Sequence, residues 1–231
     1  IIVKASTNIQ IFSDSEVIVG ENFYFNGTLK DDMGNPLKST LIFYFDGNVI
    51  ETLESDSKGY FENTYLVPND SKAGPNTIMI NYVPDEFYLS SASSWQLQVS
   101  HNIRIEVPDY SAMTNSTEII SGFVFDKANR PVSNLDVRLN LDSGFPIISK
   151  TNENGEFAID LEIPFGTALG YHNLTTVSLG NNYYIGNSTS SRIFVQGQTF
   201  MTLSVPASLE YEQEFTGTVV LQMYDGSLVS G

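Results

Sequence analysis

The strongest constraint on this chain is that it repeats itself. Asn26-Gly27-Thr28-Leu29-Lys30-Asp31, followed by Gly34-Asn35-Pro36-Leu37, reappears as Ser121-Gly122-Phe123-Val124-Phe125-Asp126, followed by Asn129-Arg130-Pro131-Val132. Gly27 and Gly122 stand 95 positions apart, and Gly217, within Thr216-Gly217-Thr218-Val219, lies 95 beyond Gly122. Further along, the offset is 96. Gly59-Tyr60-Phe61 returns as Gly155-Glu156-Phe157, Pro68 as Pro164, Gly74 as Gly170, Phe87-Tyr88-Leu89 as Tyr183-Tyr184-Ile185, and Val99 as Val195. One residue inserted between Pro131 and Val137 accounts for the change. Matches that hold register over so long a span make each repeat one structural unit of a tandem array.

Each unit reads as seven short strands separated by turn signals. In the first they fall near 9–12, 22–29, 40–46, 49–53, 60–67, 76–82 and 94–99. In the second they fall near 103–107, 118–125, 136–141, 147–150, 156–163, 172–179 and 191–195. Alternation assigns the faces, because successive side chains of a strand point to opposite sides. Phe25, Gly27 and Leu29 match Ile120, Gly122 and Val124. Leu41, Phe43 and Phe45 match Val137, Leu139 and Leu141, and Phe61 and Tyr65 match Phe157 and Leu161. These are core positions, and the recurrent central glycine predicts close packing against a bulky residue of the facing sheet. Seven strands in about 95 residues predict an all-β chain of tandem immunoglobulin-like Greek-key β-sandwiches. Residues 1–100 form the first, 101–197 the second, and 198–231 the opening strands of a third.

Composition agrees with this. Aromatics reach 12% and apolar residues 41%, enough for a packed core, and no window shows the apolar spacing of an amphipathic helix. The net charge of −16 is spread over all three segments. A field of that sign repels phosphate backbones and anionic bilayer surfaces, which argues against nucleic acid and direct membrane insertion. There is no cysteine, no signal peptide and no apolar run long enough to span a bilayer. The chain opens on Ile1-Ile2-Val3 without methionine and stops in mid-pattern at Gly231, as a piece of a longer polypeptide would.

The turn pattern resembles the immunoglobulin-like repeats of bacterial and archaeal cell-surface proteins. Those repeats read G-x-L-x-D-x-x-G-x-P-L, then a D-x-x-G-x-F hairpin, a V-P turn, and a closing strand after Y-x-x-S. Here these motifs occupy residues 27–37, 56–61, Val67-Pro68 and 88–91. The second unit departs at Asn129, where the pattern has Gly, and at Asn152, where it has Asp. The resemblance implies a fold, and in such families the repeats serve as stalks, spacers or adhesive arms, or flank a catalytic domain.

No constellation in the sequence argues for catalysis. His101, in the first join, and His172, at a strand opening, are the two histidines, and neither sits in a pattern that supports a nucleophilic triad. Zinc lacks its His/Cys cluster. Calcium is the metal that hard donors such as Asp14, Glu16, Asp31, Asp32, Asp109 and Asp126 would suit, yet no D-x-D-x-D-G loop occurs and turn formation explains these carboxylates without a cofactor. Five sequons occur, at Asn26, Asn69, Asn115, Asn173 and Asn187. Asn69, Asn115 and Asn187 fall in or beside turns, where a glycan is tolerated. Tyr24, Ile42 and Tyr44 are outward-facing apolar residues and mark a candidate contact surface.

The reading is therefore a non-catalytic structural or adhesive module of an extracellular cell-surface protein, spacing or assembling a surface layer or filament. Its partners would be proteins or further copies, and glycans under the alternative reading, a carbohydrate-binding appendage of a secreted enzyme. Joins as short as Ser100-His101-Asn102 and Gln196-Gly197-Gln198 predict a semi-rigid rod. Phe200, Leu203, Val205, Phe215, Val219, Leu221 and Met223 predict apolar strands over 200–205 and 211–223, with a turn at Asp225-Gly226. These strands should be covered by a neighbouring copy exchanging strands, or by the second domain's end.

Overall fold

The computed structural model describes residues 3–208, 210–223 and 226–229; Ile1, Ile2, Asp225 and Gly231 lie outside them. Its strands are β1 (Thr7–Ser13), β2 (Glu16–Ile18), β3 (Asn22–Asp31), β4 (Thr40–Phe45), β5 (Asn48–Glu54), β6 (Tyr60–Leu66), β7 (Gly74–Tyr82) and β8 (Ser91–Glu106). They continue as β9 (Tyr110–Met113), β10 (Ser116–Asp126), β11 (Asp136–Leu141), β12 (Ile147–Lys150), β13 (Glu156–Ile163), β14 (Gly170–Gly180), β15 (Tyr184–Gln196), β16 (Thr199–Ser204) and β17 (Thr218–Met223). The chain divides into two compact units. Unit 1 takes in residues 1–104 with 125–130 and 179–187, and unit 2 takes in 105–124, 131–178 and 188–231.

In unit 1, one sheet has the order β1-β3-β6 and the other β5-β4-β7-β8, with β2 on the far side of β8. The strand read from sequence at 9–12 is β1, which pairs antiparallel with β3; β2, which the sequence reading did not include, lies in the other sheet and pairs parallel with β8. Phe23, Phe25, Phe43 and Phe61 are fully buried between the sheets. The Phe25 and Phe43 rings lie 4.8 Å apart, and Tyr65 meets Phe43 edge-on at 5.3 Å. Burial of each such side chain contributes roughly 1.5–3 kcal/mol.

Unit 2 repeats the plan. The end of β8 pairs with β10 and β10 with β13, while β9 pairs parallel with β15, which leads through β14 and β11 to β12. Its core is mostly aliphatic, from Ile120, Val124, Val137, Leu139, Ile159, Leu161, Leu174 and Ile193 around Phe157. The same topology therefore tolerates two core chemistries, provided the alternation is kept.

Gly27 and Gly122 are buried as expected, but their neighbour is different. A Cβ on Gly27 would lie 2.4 Å from the Phe61 ring and 2.2 Å from the Gln10 carbonyl oxygen. Phe61 is the register partner of Gly27 on the adjacent strand of the same sheet, as Phe157 is of Gly122. The bulky residue thus lies across the ladder, folded over the bare glycine, and not on the facing sheet.

The turns explain the two departures from the repeat pattern. Gly34 has φ +85°, and Asn129 in its place has φ +67°, the left-handed conformation that Asn adopts more readily than most residues. Asp56 Oδ1 accepts the Lys58 and Tyr60 N–H groups at 2.7 and 2.9 Å. Asn152 Oδ1 accepts those of Asn154 and Glu156 at 2.9 and 3.0 Å. An amide oxygen does there what a carboxylate does in unit 1.

Two expectations are corrected. Ser100, His101 and Asn102, read as a short linker between strands ending at 99 and beginning at 103, all belong to one strand, β8. The strand expected over 211–223 begins only at Thr218, because Glu210 and Gln213 close a turn in which Glu212 has φ +64°. In the hairpin of β16 and β17, Phe200, Leu203, Val205, Phe215 and Val219 stay exposed. Met223 lines a pocket with the loop at 165–169 and Gly197, but the end of the second repeat leaves these five side chains exposed.

Candidate functional site

The candidate contact residues do not form one surface. Tyr24 lies on the outer face of β3, in the sheet β1-β3-β6, whereas Ile42 and Tyr44 lie on β4 in the opposing sheet. Ile42 and Tyr44 are half-buried along a groove of about 350 Å³ with Asn81, Tyr82, Val83 and Pro84. Tyr24 belongs to a polar network that the sequence reading missed. Its hydroxyl donates to Glu62 Oε2 at 2.6 Å, and that of Tyr60 donates to the same oxygen at 2.9 Å. The two phenols hold the Glu62 carboxyl below its usual range, and the hydrogen bonds with Tyr24 and then Glu62 push the Tyr60 phenol up. The signal was present in the i, i+2 spacing of Tyr60 and Glu62, which puts both on one face of β6.

The two histidines are built into the structure. His101 is fully buried in unit 1, with Nε2 at 3.0 Å from the Ser71 carbonyl. A carbonyl only accepts, so Nε2 carries the proton, and the bare Nδ1 faces Asp126 Oδ2 at 3.5 Å without a hydrogen bond. Burial pushes the imidazole below its ordinary range, against the pull of Asp126. Asp126 is itself held by the N–H groups of Ala128 and Arg130 and by Arg130 Nε, all within 2.9 Å. In unit 2, His172 Nδ1 meets Asp142 Oδ2 and Nε2 meets the Ala168 carbonyl, both at 2.7 Å. Two acceptors ask for two N–H donors, and the bond to Asp142 raises the His172 pKa. Among the described residues, neither ring is hydrogen-bonded to a serine hydroxyl.

The carboxylates considered for calcium are mostly occupied by the chain. Asp31 Oδ1 caps its own turn through Met33 and Asn35, and Asp109 holds the Arg192 N–H and guanidinium. Among the described residues no three His, Cys, Asp or Glu side chains gather as a metal site. Of the sequons, Asn69 and Asn115 are exposed in turns, whereas Asn187 lies within β15 and its Nδ2 donates to the Ile103 carbonyl at 2.7 Å.

The two short parallel pairings are the other feature missed from sequence. In unit 1, Glu16, Val17 and Ile18 run beside Gln98, Val99 and Ser100, and the Val19 N–H donates to the Ser100 carbonyl at 2.9 Å. In unit 2, residues 110–113 run beside 193–196, and the Thr114 N–H donates to the Gln196 carbonyl at 2.9 Å. Val19 and Thr114 are equivalent under the repeat, as are the buried Val17 and Ala112. Extending the repeat register to these residues would have revealed the strands, but three or four residues are too few for alternation to show.

No protein-family model matches the chain, and no curated protein matches it. Among solved structures, that of the Escherichia coli adhesin FdeC aligns with a TM-score of 0.51 at 16% identity, over 82% of this chain and 64% of that one. This chain thus spans less than two thirds of that structure. A tetra-tandem repeat from the extending region of a large adhesion protein aligns with a TM-score of 0.41 at 13% identity, over 94% of this chain and 56% of that one. No helix among the described residues is long and apolar enough to cross a membrane. By its fold, this chain is a tandem of immunoglobulin-like β-sandwich repeats.

Proposed function

We propose that the chain is a non-catalytic, force-bearing module, a stalk, spacer or assembly arm, of an extracellular surface protein that contacts proteins or further copies of itself. The supporting observation is the parallel pairing of β2 with β8 in unit 1 and of β9 with β15 in unit 2. In each, a strand near the start of the repeat runs parallel to the one at its end. Tension along the chain then loads their backbone hydrogen bonds together in shear, where an antiparallel hairpin pulled from its open end would unzip bond by bond. The similarity to the FdeC adhesin adds a fold used in a surface adhesin.

Single-molecule pulling on the full chain tests this. Two separate unfolding steps should appear, each releasing about 300 Å of contour for some 95 residues. Smooth extension without force peaks would overturn the reading. Binding on a glycan array that is lost with Tyr44→Ala would replace it with the carbohydrate-binding alternative.

A further inference from the structure

We propose that Asn26 and Asn173 are N-glycosylation sites, each with the tyrosine two residues upstream as a stacking platform for the first sugar. Two of the five sequons share one extended pattern, Tyr24-Phe25-Asn26-Gly27-Thr28 and Tyr171-His172-Asn173-Leu174-Thr175. Both lie within strands, β3 and β14, where residues i−2, i and i+2 share a face about 6.6 Å apart. The intervening Phe25, Gly27 and Leu174 are buried, so tyrosine, asparagine and threonine all point outward. That spacing lets a pyranose on the asparagine Nδ2 lie back over the tyrosine ring, burying its apolar C–H face against the π surface.

Both rings are fixed in advance. Tyr24 is tied through its hydroxyl to Glu62, and Phe12, half exposed, is the register partner of Asn26 on the other side. Tyr171 packs against Phe194 with ring centroids 4.9 Å apart, and the Arg192 guanidinium lies 4.9 Å from its ring centroid. Arg192 is anchored in turn by Asp109. Tyr171 nevertheless remains 69% exposed, so much of its surface is open. The acceptor amide of Asn173 already donates to the hydroxyl of its own sequon, Nδ2 to Thr175 Oγ1 at 2.9 Å. The other three sequons have Val67, Met113 and Ile185 at the upstream position, with no ring to offer. At Asn187 a glycan would also displace the bond to Ile103.

The chemistry is transfer from a lipid diphosphate-linked oligosaccharide. The amide nitrogen attacks the anomeric carbon, the N–C bond forms as the C–O bond to the diphosphate breaks, the nitrogen loses a proton, and the lipid diphosphate leaves. In nature this rests on the extracellular reading above. Secretion of the full chain from a glycosylating eukaryotic cell brings it to the transferase whatever its native place, so the two can fail separately.

Glycopeptide mass spectrometry of that material should find Asn26 and Asn173 occupied. Enzymatic removal of the glycans should lower the Tm by roughly 2–4 °C. Tyr171→Thr removes the ring and keeps a strand-favouring residue, and should cut occupancy at Asn173 about twofold or more while leaving Asn26 unchanged. Thr175→Ala, which deletes the sequon at Asn173 and keeps the ring, should show a smaller Tm loss on glycan removal than the parent, because only the Asn26 glycan is left to remove. Unmodified peptides at both asparagines, or occupancy and Tm shift that ignore Tyr171→Thr, would overturn the proposal.

Discussion

A Cβ added at Gly122 would lie 2.4 Å from the Glu106 carbonyl oxygen and 2.6 Å from the Phe157 ring, so even Gly122→Ala must move backbone. We expect Gly122→Ala to cost about 1–3 kcal/mol and Gly122→Leu more, read by denaturant unfolding of unit 2. Only part of that loss should return when Phe157→Leu is added, because the carbonyl remains. The glycine's burial was legible in sequence. Its partner was not, since alternation says which face a residue occupies and not which strand's side chain folds over it. The histidines predict opposite pH responses. His101 has its folded pKa depressed by burial, so its contribution is present above the unfolded value near 6.5 and is lost as pH falls below it. His172 has its folded pKa raised by Asp142, so its contribution is complete below about 6.5 and is lost as pH rises through the folded value. Unfolding midpoints followed from about pH 5 to 8 should show the acid loss vanish in His101→Gln and the alkaline loss vanish in His172→Gln. A profile unchanged by either variant would contradict these burial and pairing arguments. The sequence located both histidines but not their burial, which depends on residues some 25 to 30 positions away, Ser71 and Asp126 for His101 and Asp142 for His172.

Among the elements, strands with strong alternation were placed to within a few residues, and β12 and β13 coincide with the spans read from sequence. Elements that depend on a partner were not. β2 and β9 are short, and their residues are extended because β8 and β15 offer an edge. The excess over 211–217 has another cause: the turn closed by Glu210 and Gln213 takes up residues that the β16–β17 pairing does not reach. The shear argument makes a specific prediction here. Thr114→Pro removes the N–H that donates to the Gln196 carbonyl, and should lower the force at which unit 2 yields while leaving unit 1 unaffected. Its equilibrium stability should fall by roughly 1–3 kcal/mol. An unchanged force spectrum would mean that resistance resides elsewhere in the sandwich.

At the scale of the whole molecule, the two complete repeats should hold without the segment that follows them. Deleting 198–231 should leave both complete repeats folded, since neither core draws on β16 or β17. The paired clash at Gly27 with Phe61 and at Gly122 with Phe157 carries a historical consequence. A mutation at either glycine meets a ring and a backbone carbonyl, and loss of either ring uncovers a bare patch of backbone, so each residue affects what changes the other tolerates. After duplication the rest of the two cores was free to diverge, aromatic in one copy and aliphatic in the other. The carbonyl holds each glycine in place whatever becomes of its ring, so the glycine is the first position to look for when asking whether a distant, unrecognisable repeat shares this ancestry.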